Sequence, residues 1–115
     1  MEFEELLKAI EAFSPGAAIA VRERKRQIDE KGFSARHDSA WKSGQLLRAA
    51  ECYFLTEDQR RWMTPNGAKA PGKWPFVSET FKPTGDRLMD LAKGVAMSIA
   101  EMDRIIHERQ QAGEM

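Results

Sequence analysis

From Leu88 to Ile106 the chain carries an unbroken helical period. Leu88, Leu91, Ala92, Val95, Ile99, Met102 and Ile106 recur three or four residues apart, the spacing of one helix face. This predicts a helix over 85–111, ended by Gly113, as the longest element and the spine of the core. A period of two is sustained nowhere, so no stretch reads as a half-buried strand. The fold class that follows is all-α: a small helical bundle with a long C-terminal helix. The chain has 115 residues, close to the usual size of one domain, so 1–115 is expected to be a single helical domain.

Upstream, Phe3, Leu6, Leu7, Ile10 and Phe13 mark a short amphipathic helix over 2–13. Ser14-Pro15 stops it and starts the next, Ser14 as N-cap and Pro15 at the first helical position. That second helix is expected over 15–31, with a thin apolar side of Ala17, Ala18, Val21 and Ile28 and with Gly32 as its left-handed end. Residues 33–40 read as a loop. Asp38 or Ser39 is expected to cap a third helix carrying Trp41, Leu46, Leu47, Ala50, Tyr53 and Phe54, with Gly44 weakening it or marking a close contact. Thr56-Glu57-Asp58-Gln59 is a capping-box pattern, predicting a turn of helix through about Trp62.

Met63 to Gly85 breaks the pattern and holds four of the five prolines. Long irregular segments in small domains are functional or disordered. Trp74, Phe76 and Phe81 argue for packing. The part about 63–73 is expected to be mobile, and Trp74–Pro83 to lie pinned across the helices as an irregular aromatic, Pro-rich loop.

Composition narrows the function classes. Lysine plus arginine and aspartate plus glutamate both number 18, giving zero formal net charge. A general nucleic-acid binder carries a basic excess, so any anion site must be local. One cysteine, Cys52, excludes an internal disulfide and fits a reducing compartment. The acidic start, Met1-Glu2-Phe3-Glu4-Glu5, has no signal-peptide shape, and no apolar run is long enough to span a membrane. A cytoplasmic protein is expected.

Several constellations are candidates for chemistry. Arg22, Lys25 and Arg26 share a helix face and can grip a phosphate, or form a solvated face with Glu23, Asp29 and Glu30. His37 beside Asp38 is either a base with its orienter or a capping turn. Cys52, inside an apolar face, reads as an inert core thiol. Glu23, Glu51, Asp90 and Glu101 are the carboxylates from which a magnesium site would have to be built. Zinc has too few ligands, and no glycine-rich phosphate loop or nucleophile elbow is present. No metal or cofactor is expected. Lys73-Trp74-Pro75-Phe76 and Phe81-Lys82-Pro83 interleave rings, cations and stiff prolines. Such rings either stack on a base or staple the loop to the bundle.

Arg22-Glu23-Arg24-Lys25-Arg26-Gln27-Ile28, Glu30-Lys31-Gly32-Phe33, His37-Asp38 and Gly44-Gln45-Leu46 resemble a family of small phage and prophage proteins. Their pattern reads E-R-x-R-Q-I, E-G-W, H-D-D, G-E-L-A, then W-P-W, W-K-P and an alanine-rich helix. Trp74-Pro75-Phe76, Phe81-Lys82-Pro83, Asp90-Leu91-Ala92-Lys93 and Glu101-Met102-Asp103-Arg104 continue the resemblance, which covers 21–106. It implies phage origin, hence the cytoplasm of an infected bacterial host, rather than a reaction. Ser39 and Gln45 stand where the pattern has acidic residues, which weakens carboxylate-based metal chemistry.

The expected function is binding without catalysis: capture of a nucleotide or cyclic nucleotide, similar in kind to phage sponges that sequester nucleotide immune signals. The expected ligand residues are Arg22, Arg26, His37, Trp74, Phe76, Lys82 and Arg87. Two alternatives stand beside it, a magnesium-dependent all-α nucleoside triphosphate pyrophosphatase-like enzyme and a phage protein that binds a host protein. A homo-oligomer is expected, because the first helix has a full apolar stripe and little to cover it.

Overall fold

The computed structural model describes residues 1–113. Six helices follow in order: α1 (Phe3–Phe13), α2 (Pro15–Lys31), α3 (Ala35–Asp38), α4 (Gln45–Phe54), α5 (Glu57–Met63) and α6 (Arg87–Gln111). A 3-10 turn over Ser78–Thr80 interrupts the connection from α5 to α6. No strand occurs among the described residues. The fold is the expected helical bundle with a long last helix. α2, α3 and α4 pack on α6, and α1 packs on α2.

The helix ends follow local chemistry. The Ser14 hydroxyl accepts the Ala17 N–H at 3.2 Å, and Gly32 closes α2 in the left-handed region at φ 72°. Thr56 and Gln59 form the reciprocal capping box of α5. The Asp86 carboxylate accepts the Leu88 N–H at 3.0 Å and starts α6.

Three readings of the sequence are corrected. His37 and Asp38 lie in a one-turn helix, not a loop, and α4 begins only at Gln45, with Gly44 as its N-cap at φ 79°. Trp41 therefore packs from the connecting segment. A left-handed glycine is a helix terminator more readily than a weak interior residue, because it escapes the Cβ clash. The second correction concerns which face of α6 is inside. Asp90, Ala92, Gly94, Ala96, Met97, Ala100 and Arg104 are buried, whereas Leu88, Val95, Met102 and Ile106 of the expected spine are exposed. Small residues let α4 approach closely, and the bulky stripe is left on the outside.

The core lies between α4 and α6. Leu46, Ala49, Ala50, Cys52 and Tyr53 meet Met97 and Ala100, and Ala70 and Phe81 close the cluster from the long connection. Trp41, Phe54, Trp74 and Phe76 pack against it. The buried face of α2 is polar rather than the expected Val21–Ile28 side: Glu23, Arg24 and Gln27 are buried beside Ala18 and Ala20.

Candidate functional site

The polar face of α2 turns toward α6. Arg24 is buried; its guanidinium donates to Asp103 at 2.9 Å and to the Phe33 carbonyl at 2.7 Å. This locks α2 to α6 and fixes the turn into α3. Two residues on, Arg26 donates twice to Glu23, each bond 2.8 Å, and once to Glu30 at 3.2 Å. Burial opposes charge on Glu23, but the hydrogen bonds and charge of Arg26, aided by Gln27 and Lys93, hold its carboxyl below the usual range. The bidentate geometry is the strong form of the arginine–carboxylate pair.

Lys93 of α6 comes to the same neighbourhood. Its ammonium donates to the Lys82 carbonyl at 2.7 Å and stands 5.6 Å from the centre of the Tyr53 ring. Burial pushes Lys93 below its ordinary pKa, Glu23 and Asp90 oppose that, and Arg26 and Lys31 add to it. Tyr53 is the hub of the aromatic block. Its hydroxyl accepts the Lys82 N–H at 3.1 Å, and its ring lies 5.1 Å from Phe81 and 5.7 Å from Trp74.

Trp74 is half-buried. It meets Phe81 at 4.9 Å and Phe76 at 5.7 Å, and its indole N–H donates to the Val77 carbonyl at 3.1 Å. Phe76 rests edge-on against Trp41 at 5.2 Å. Trp74 and Phe76 are thus brought together. Lys93 and Tyr53 link them to Arg26 and Lys82.

The remaining expected ligand residues have partners of their own. Arg22 is exposed and pairs with Glu4 of α1 at 3.3 Å. Arg87 donates to the Leu55 carbonyl at 3.0 Å, tying the start of α6 to the end of α4. His37 holds Asp38 through its Nδ1 at 2.8 Å and stacks on Phe33 at 5.4 Å. Asp38 itself is buried, with its second oxygen unpartnered.

The four carboxylates considered for magnesium are dispersed among different partners. Glu23 is held by Arg26, Glu51 by Lys73 at 3.0 Å and Glu101 by Arg104. Asp90 accepts from the Thr84 amide and hydroxyl at 2.7 and 2.8 Å, with Arg60 at 3.7 Å. Among the described residues no group of three or more His, Cys, Asp or Glu side chains is placed to hold a metal ion.

Sequence reasoning missed Lys93 and gave Tyr53 no role beyond the core. A signal existed for the first: Lys93 sits between Ala92 and Gly94, on the small-residue side of α6. A cation among small residues on the inward face has to find buried acceptors. Comparison with protein-family models, curated proteins and solved structures finds no match. No helix among the described residues is long and apolar enough to cross a membrane.

Proposed function

We propose that this chain binds a small anionic ligand of the nucleotide class, linear or cyclic, without transforming it. The observation that carries this reading is the half-buried ammonium of Lys93, set on the Tyr53 ring beside an excess of positive charge. Arg60 stands against Asp90. That leaves Arg26, Lys31 and Lys93 against Glu23 and Glu30. A phosphate would relieve the mutual repulsion, and the part of Trp74 left open offers a face for a base. The reading rests on Arg26, Trp74, Lys82, Lys93 and Tyr53 and does not draw on Arg22, His37, Phe76 or Arg87.

The resemblance to phage proteins supports a place in the cytoplasm of an infected bacterium, where capture of a nucleotide signal needs affinity and no reaction. The loop supports capture as well. Pro71, Pro75 and Pro83 stiffen it before binding, which lowers the ordering cost.

The test is a thermal-shift panel of cyclic and linear nucleotides, each with and without magnesium, followed by calorimetry on the hits. The expected result is stabilisation that needs no metal, with the ligand recovered intact. Lys93→Met should weaken binding about tenfold or more, the scale of a hydrogen bond to a charged group. No response to any nucleotide overturns the reading. Magnesium-dependent turnover replaces it with the pyrophosphatase.

A further inference from the structure

The outer face of α6 is apolar along most of its length. Leu88, Val95, Met102 and Ile106 are 52%, 39%, 61% and 37% exposed. Leu88, Val95 and Met102 repeat every seven residues, and Leu91, Ile99 and Ile106 interleave three or four residues on, the seam of a two-stranded coiled coil. The helices that pack on α6 occupy its other face, where Ala92, Gly94, Ala96 and Ala100 are buried. The seam holds no charged side chain between Leu88 and Ile106. At its edge the Ser98 hydroxyl donates to the Gly94 carbonyl at 3.0 Å, so it needs no water.

We infer that this seam is the dimer interface, and that the occupant is α6 of a second copy running antiparallel. Size, charge and area each argue for this partner. A two-fold axis near the middle of the seam sets Leu88 against Ile106 and Val95 against Ile99. Each bulky side chain then meets a smaller or branched one, as self-complementary interfaces require. The same register sets Arg109 of each copy level with Gly85, just before the other α6. A parallel pair would instead lay Arg87 on Arg87 and Arg109 on Arg109. The chain exposes 7516 Å², whereas a compact monomer of its mass exposes about 6,400 Å². The excess is on the scale of the roughly 800 Å² that each partner buries in a stable dimer.

Sedimentation equilibrium on the full chain tests this directly. The expected mass is twice the 13.1 kDa of one chain. Val95→Glu with Met102→Glu changes two exposed positions, so its helical circular dichroism should persist while its mass falls to 13.1 kDa. A second measurement does not depend on disrupting the seam. Val95→Cys and Ile99→Cys chains are mixed and oxidised; Cys52 is buried and does not compete. The antiparallel seam gives the mixed disulfide. Disulfides of Val95→Cys with itself would overturn the antiparallel pairing. A wild-type chain that stays at 13.1 kDa at about 100 µM, a concentration that a standard interface saturates, would overturn the dimer. A dimer that survives both glutamates would move the interface off this face.

Discussion

Gly94 marks a close approach of α6 to α4. A Cβ built there would stand 2.3 Å from Cε1 of Phe54 and 3.0 Å from the carbonyl oxygen of Ala50. The ring can swing away, but the carbonyl belongs to the α4 backbone and cannot. Gly94→Ala should therefore lower stability by about 1–3 kcal/mol, as overpacking does, although alanine is the better helix former. Urea unfolding of the variant measures it. Glu23 offers a different test at the same scale. Its carboxyl is held below the ordinary 4.5, so the unfolded chain takes up the proton first as pH falls. The stability that this carboxylate contributes is complete above 4.5 and is lost as pH drops through the lowered value. Glu23→Gln should cost most at neutral pH and progressively less toward acid, read from unfolding midpoints across that range. For Lys93 the sign is reversed in charge. It loses its proton below the ordinary 10.5, so affinity for an anionic ligand should start to fall before that pH. Lys93→Met should remove this part of the pH dependence, seen by calorimetry at several alkaline pH values.

At the scale of elements, the long connection behaves as a staple. Trp74 touches Tyr53, Phe76 and Phe81, and Phe81 is buried in the main cluster. Trp74→Ala should cost about 3 kcal/mol of stability, the lower end for a large ring removed from a core. If the same ring also holds a base, nucleotide affinity falls beyond what lost folding explains, so denaturant melts and titrations belong on one sample. Much of this layout is readable in the chain. Ser14-Pro15, Gly32, Thr56–Gln59 and Asp86 set helix ends through bonds within a few residues, and local chemistry of that kind is written locally. The inward face of α6 is not. Leu88 to Ile106 has the stronger apolar period, yet the face that packs is the one with Ala92, Gly94, Ala96 and Ala100. Close helix approach rewards small side chains, and periodicity alone weights the bulky ones. The candidate site was legible in part. The aromatic loop and Arg26 stand out by composition, while Lys93 becomes visible only when α2, α4 and the Lys82 carbonyl converge on it.

The whole molecule is more open than its length requires. Its radius of gyration is 15.2 Å, against about 13 Å for a compact domain of this size, and its thinnest extent is 21 Å. That thinness is about two helix diameters, so a helix packed on one side has its other side near solvent. α1 shows the same economy: Leu7 is buried, whereas Leu6 and Phe13 are exposed. A thin bundle buries little apolar area per residue and is expected to be marginal alone. A partner that binds the folded chain and not the unfolded one then adds stability by mass action. With a second copy as the proposed partner, the melting temperature should rise with protein concentration. A tenfold increase makes dimerisation more favourable by about 1.4 kcal/mol per mole of partner, and for a domain of this length that corresponds to a few degrees. Scanning calorimetry over two decades of concentration reads the slope. With Val95→Glu and Met102→Glu together the slope should vanish and the melt should settle near the low-concentration value of the wild type. A wild-type melting temperature that ignores concentration across that range would mean that the thin bundle stands by itself.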